Sequence, residues 1–115
     1  MNKAILLVVA LLLISVVAFA RTRGDQPNVS ISPNPVKDAT TITIFMPQTA
    51  NVTLTIEDGQ ENQLHLLYEG ELTAGIHNIP WDCTLEDGSR LEPGRYILHL
   101  REQRFTSIKR IIILK

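Results

Sequence analysis

From Val29 to the C-terminus the chain is a series of short runs in which apolar and polar residues alternate. Val29 to Ser32 alternates and is stopped by Pro33-Asn34-Pro35, where two prolines remove backbone donors and fix φ. Thr40 to Met46 places Ile42, Ile44 and Met46 on one face and Thr41, Thr43 and Phe45 on the other. After Pro47-Gln48, Asn51 to Glu57 alternates more cleanly, with Val52, Leu54 and Ile56 inward and Thr53 and Thr55 outward. Period-two alternation rich in β-branched residues is the mark of a half-buried strand. Leu64 to Tyr68 predicts a further strand, Glu69 to Gly75 a connection, and Ile76 to Trp81 a strand with His77, Ile79 and Trp81 on one face. Asp82 to Gly94 is the longest irregular stretch, punctuated by Asp87-Gly88 and Pro93-Gly94. Arg95 to Arg101 and Phe105 to Leu114 complete the set, the last ending in the apolar run Ile111 to Leu114. No helical periodicity occurs after residue 20. Seven short strands separated by turn signals predict an all-β, immunoglobulin-like (fibronectin III-like) β-sandwich. Its expected core is Ile42, Ile44, Val52, Leu54, Ile56, Trp81, Tyr96 and Leu98.

The start of the chain follows a different pattern. Lys3 is followed by Ala4 to Phe19, a run with no charge and one polar residue, Ser15, and then by the small-residue site Ala18-Phe19-Ala20. That order predicts a secretory signal peptide over residues 1–20, cleaved after Ala20. A linker over 21–28 and a single domain over 29–115 follow. An uncleaved anchor is the alternative, but a spanning helix takes roughly 20 apolar residues, slightly more than this run offers. The flank Arg21-Thr22-Arg23-Gly24-Asp25 is polar, and no cysteine lies near enough for a lipid anchor. The protein is therefore expected to be exported to the periplasm, cell surface or medium, touching the membrane only transiently through the signal.

Loss of residues 1–20 removes Lys3 and leaves ten basic residues against twelve acids, a formal charge of −2. Nothing in that balance suggests a nucleic-acid partner. The last fifteen residues are locally basic, since Arg101, Arg104, Lys109, Arg110 and Lys115 face only Glu102; this reads as a charged edge strand. Cys83 is the single cysteine, so no internal disulfide forms and stability must come from packing. It is expected to be a small buried apolar residue, the alternative being a thiol that pairs with another chain.

Several motifs fall in an order that resembles a known family. They are Pro33-Asn34-Pro35, Ala39-Thr40-Thr41-Ile42, Asn51-Val52-Thr53-Leu54 with Glu57-Asp58, Gly75, Trp81-Asp82, Asp87-Gly88, Gly94-Arg95-Tyr96, and Lys109-Arg110 before an apolar end. Residues 31 to 115 resemble the immunoglobulin-like domain shared by the C-terminal part of flagellar hook-capping proteins and the type A sorting domains of type IX secretion. The resemblance implies a scaffold. Trp81 is expected to fill the space between the sheets, and Asp82 to accept backbone N–H groups of the following loop. Asp87-Gly88 suits a turn with positive φ, Pro93-Gly94 a type II turn, and the Tyr96 hydroxyl a bond near a sheet corner. Two departures stand out: Cys83 occupies a place where the family usually has a small residue, often Gly, and only a signal and a short linker precede the domain. A sorting domain normally follows a cargo, and a hook cap is not expected to carry a cleavable signal.

The candidates for chemistry are sparse. His65, His77 and His99 share no ligand spacing, and Asp82, Glu86 and Asp87 lack the ligand ladder of an EF-hand. A Cys83–His77 pair has no orienting partner. Asn28-Val29-Ser30 and Asn51-Val52-Thr53 fit the glycosylation triplet but are expected to be unmodified. No catalytic constellation emerges, and no metal or cofactor is expected. The expected function is that of a non-enzymatic Ig-like structural or binding module acting through sheet edges or loops on a protein partner, either secretion machinery or a surface or periplasmic protein. β-strand addition on Phe105 to Leu114 or on the first strand is the expected mechanism, with Phe105, Lys109, Arg110, Ile111 and Ile113 as contact candidates. The alternative is a type IX C-terminal sorting domain recognised by the translocon.

Overall fold

The computed structural model describes residues 26–103 and 107–115; the expected signal peptide, most of the linker, Arg104 and Phe105 lie outside them. The alternating runs form seven strands: β1 (Asn28–Ser32), β2 (Thr40–Met46), β3 (Ala50–Glu57), β4 (Gln63–Leu72), β5 (Gly75–Trp81), β6 (Gly94–Glu102) and β7 (Ser107–Leu114). All strand pairs are antiparallel. They make two sheets, β1-β2-β5 and β4-β3-β6-β7. This three-plus-four arrangement is the sandwich that the alternation predicts, with each sheet turning one apolar face inward. No described helix is long and apolar enough to cross a membrane.

The register explains the core. β2 turns Ile42, Ile44 and Met46 inward, and β3 opposes them with Val52, Leu54 and Ile56, all buried. Trp81, Leu98, Leu100, Ile112 and Leu114 close the ends and the β6–β7 side. Val36, between β1 and β2, is fully buried and forms a parallel bridge with Leu114. The chain therefore leaves one sheet after β1 and touches the far edge of the other before β2 begins.

Three details depart from the sequence reading. β4 runs to Leu72, through a stretch read as a connection. Gly70 there has φ 143°, and its missing side chain leaves room for the Tyr68 ring, whose hydroxyl lies 3.6 Å from a Cβ built at Gly70. A breaker in sequence is thus a packing position in the sheet. Tyr96 is only half-buried and packs against the core rather than within it. Thr55 and Glu57, on the face of β3 expected to meet water, are buried. The cause is β6, which lays His99 beside Thr55 on the same outer face.

Candidate functional site

Most of the loop motifs gather at one end of the sandwich, in the loops leaving β1 and β5 and preceding β2 and β6, whereas Gly75 and the start of Asn51-Val52-Thr53-Leu54 lie at the other. Trp81 is 5% exposed, donates its indole N–H to the Thr84 carbonyl at 3.1 Å, and stacks on His65 with ring centroids 6.1 Å apart. The Asp82 carboxylate accepts the Thr84 N–H at 3.1 Å and the Thr84 hydroxyl. Asp87 does the same with Ser89, at 2.9 and 2.6 Å, around Gly88 at φ 85°. Both aspartates sit below their ordinary pKa, chiefly because these side-chain hydroxyls and then the backbone N–H groups hydrogen-bond the charged form. Their carboxylates are engaged in their own turns. Among the described residues no cluster of three or more His, Cys, Asp or Glu could hold a metal ion.

Gly94 opens β6 at φ 157°, so Pro93-Gly94 is not the expected type II turn, which needs about +80° at that position. The Tyr96 hydroxyl donates to the Glu92 carbonyl at 2.7 Å, which bridges the start of β6 to the preceding loop. Cys83 is fully buried and takes φ 66°. That conformation suits glycine, which accounts for the family's preference at this place. Burial pushes the Cys83 thiol up, so it is a poor nucleophile. We expect Ellman's reagent to leave the native protein unmodified and to titrate one thiol only after denaturation.

The Pro33-Asn34-Pro35 motif works at long range. Both the Ser32-Pro33 and Asn34-Pro35 bonds are cis. The Asn34 amide donates to the Ile111 carbonyl at 2.9 Å, and its oxygen accepts the Ile113 N–H at 3.0 Å. Val36 extends the contact, donating to Ile113 and accepting from Lys115. This segment occupies the outer edge of β7 from Ile111 to the chain end. Arg110 lies on the inner side and ties β7 to β1, donating to the Val29 carbonyl at 3.1 Å and the Asn28 side chain at 3.1 Å. Of the expected contact residues, Arg110 is thus an internal tie, and Lys109 pairs with Glu61 at 3.3 Å. Ile113 is half-buried, Ile111 is half exposed, and Phe105 lies outside the described residues. Asn34→Ala removes both side-chain bonds, and at about 1 kcal/mol each should cost about 2 kcal/mol in urea unfolding while leaving the m-value unchanged.

Two groups escaped the sequence reading. Arg90 donates to the carbonyls of Asp38, Asp82 and Lys37, which clamps the loop before β2 to the loop after β5. On the outer face of the four-stranded sheet, Glu57 Oε2 accepts from His99 Nδ1 at 2.7 Å, Arg101 at 3.0 Å and the Thr55 hydroxyl at 3.2 Å. His99 Nε2 reaches the Ser107 hydroxyl. Burial works to raise the Glu57 carboxyl, but the hydrogen bonds from His99 and Thr55 and the charges of His99 and Arg101 outweigh it and hold it below its usual value. An ionised Glu57 can only accept, so the ring nitrogen that faces it, His99 Nδ1, carries a proton. The only sequence signal was parity: 55 and 57 share a face, as do 99 and 101.

Fold and loops define an immunoglobulin-like module of the fibronectin III-like kind. The chain belongs to the FlgD Ig-like domain family, whose model matches residues 28–104. A stretch of 45 residues, 39% of the chain, is 47% identical to the basal-body rod modification protein FlgD of Escherichia coli K12, of which it spans 20% of the length. Among solved structures, dimeric latent PorU of Porphyromonas gingivalis matches 76% of the chain at TM-score 0.57 and 22% identity, using 9% of that protein. PorZ of the same organism, described as a surface component of the type IX secretion system, matches 76% at TM-score 0.52 and 22% identity, using 11% of its chain. At that identity the two structures share the fold with this chain.

Proposed function

We propose that this chain is an exported Ig-like structural and binding module without catalytic activity, acting on a protein partner in the periplasm or at the cell surface. One observation carries the reading. The polar side chains of the motif are committed to internal bonds that hold loops and edges together, as with Asn34 on β7, Asp82 on Thr84 and Asp87 on Ser89. Such a site fixes a shape rather than presenting chemistry, and what it leaves for contact is sheet edge and sheet face. The edge mechanism moves away from the strands the sequence favoured, because Asn34 and Val36 cover β7 from Ile111 onward and Arg110 binds the Val29 carbonyl in β1. Light scattering on the mature chain, followed by cross-linking in the native envelope, tests the module. A cross-linked protein partner supports it; a strict monomer without any cross-linked neighbour sinks it.

A type IX sorting role is the second reading. It is favoured by the joining of the Pro33-Asn34-Pro35 motif to the last strand, which makes one recognisable surface of two distant segments. Residues 25–115 fused to a reporter in a type IX-competent bacterium decide it, since a reporter retained in the periplasm excludes sorting.

A further inference from the structure

Each sheet has two edges, and three of the four are blunted. β7 is covered from Ile111 onward by Asn34 and Val36, and its Lys109 carbonyl accepts from Arg110. β1 is five residues long and is bound at Val29 by Arg110. β5 carries Pro80, which has no N–H to offer. β4 is the longest strand at ten residues, contains no proline, and pairs only with β3 among the described residues. Its first half is bulged, with register shifts opposite Leu54/Thr55 and Ile56/Glu57, a device that discourages edge pairing. Its second half keeps one register, with Gly70 at φ 143° inside it: Tyr68, Glu69, Gly70, Glu71 and Leu72 face Leu54 to Ala50 one for one.

That regular run is acidic on one side. Glu69 and Glu71 are two residues apart, share the outer face and are exposed. Glu69 lines a cleft of about 470 Å3 whose walls include Val52, Thr53, Gly70, Glu102 and Gln103. Arg101 stands on its far wall, but that guanidinium is paired with Glu57 at 3.0 Å. Opposite charges on directly opposed residues of paired strands attract, and like charges repel. Two copies meeting along β4 would set glutamate beside glutamate, so the edge is ill suited to self-pairing.

We propose that the Tyr68–Leu72 edge of β4 is the docking site for an extended segment of a partner protein with Lys or Arg at two positions, i and i+2, on one face. Resting on the module reading above, this names the edge and the partner chemistry. Main-chain hydrogen bonds supply the pairing, and the basic side chains lie over Glu69 and Glu71 or enter the cleft toward Glu102. The Glu71 carbonyl already accepts the Tyr68 hydroxyl at 2.6 Å, a bond the added strand must share or displace.

The test uses the mature full-length protein and three octapeptides: one alternating Lys with Val, its Glu-for-Lys counterpart, and an N-methylated version of the first. The expected result is amide exchange protection at Tyr68–Leu72 with the Lys peptide, weakened by salt, and none with the N-methylated one. Glu69→Lys/Glu71→Lys should weaken the Lys peptide about fivefold or more, on the scale of two cross-strand charge pairs, and favour the Glu peptide. Glu69→Gln/Glu71→Gln should give a smaller loss and guards against a fold defect in the reversed variant. Equal binding of the Lys and Glu peptides, or no protection of β4, overturns the inference. Protection appearing on another edge or loop also overturns it while leaving the module reading intact.

Discussion

Trp81→Ala is expected to be the most damaging single change, costing about 3–5 kcal/mol, the range for emptying a buried aromatic site. The indole bridges the end of β5 and the interior, its N–H holds the Thr84 carbonyl, and His65 stacks on its face. Alanine leaves a void and frees that carbonyl, and the backbone around Cys83, fixed at φ 66°, cannot readily collapse into the space. In a domain of this size the loss should lower Tm by about 15 °C or more. It would also remove a large part of the 5–15 kcal/mol that typically separates folded from unfolded states. Trp81→Phe retains most of the buried surface and loses the N–H bond, so about 1–2 kcal/mol is expected. Urea unfolding followed by far-UV circular dichroism measures both, because the chain has no other tryptophan to report by fluorescence. An alanine variant within about 1 kcal/mol of the parent would show that Trp81 is not a core residue.

The second large effect concerns Glu57. Its carboxylate is almost fully buried, with three donors on one oxygen, while the other oxygen has no partner among the described residues. Glu57→Gln keeps the shape and removes the charge that orders His99 and Arg101. Breaking a fully buried pair costs about 3–5 kcal/mol; Arg101 is half exposed and rehydrates, so about 2 kcal/mol is expected at neutral pH. The pH dependence has a definite sign. The folded pKa of Glu57 is lowered from 4.5, so the folded state binds its proton less readily than the unfolded chain. The stabilisation is fully present above the unfolded value and is lost as the pH falls through the lower folded value. Parent and Glu57→Gln stabilities should therefore converge on acidification below 4.5. Asp58, Asp82 and Asp87 are also held below their ordinary values by hydrogen bonds. They act in the same acid range and leave the variant with a residual slope. Urea titrations between pH 7 and pH 3 check this; a gap between parent and variant that stays constant with pH would refute the assignment to the Glu57 charge.

Much of the fold was legible because it rests on local patterns. Ile42, Ile44 and Met46, and Val52, Leu54 and Ile56, alternate with threonines, and that periodicity alone sets which face of β2 and β3 is buried. Asp82 and Asp87 act on residues two positions ahead, a distance at which side-chain chemistry can be read directly. Cys83 is the small buried apolar residue that a lone cysteine implies. Gly70 looks like a strand end in the sequence yet lies inside β4, because a glycine breaks a strand only where no side chain covers it, and the Tyr68 ring does so.

Seven strands, the inward apolar faces of β2 and β3 and the turns at Asp82 and Asp87 were legible from the chain alone, because these follow from spacing along it. Which edges stay open depends instead on contacts between distant segments. Asn34 meets β7 across 77 residues, Arg110 meets Val29 across 81, and Arg90 reaches Lys37 across 53. Tertiary pairing also decided that the outer face of β3 is not wholly solvent, because His99 and Glu57 lie 42 residues apart and come together through the β3–β6 register. Such contacts leave no periodicity to read. They depend on which strands become neighbours, and burying the apolar faces settles that globally.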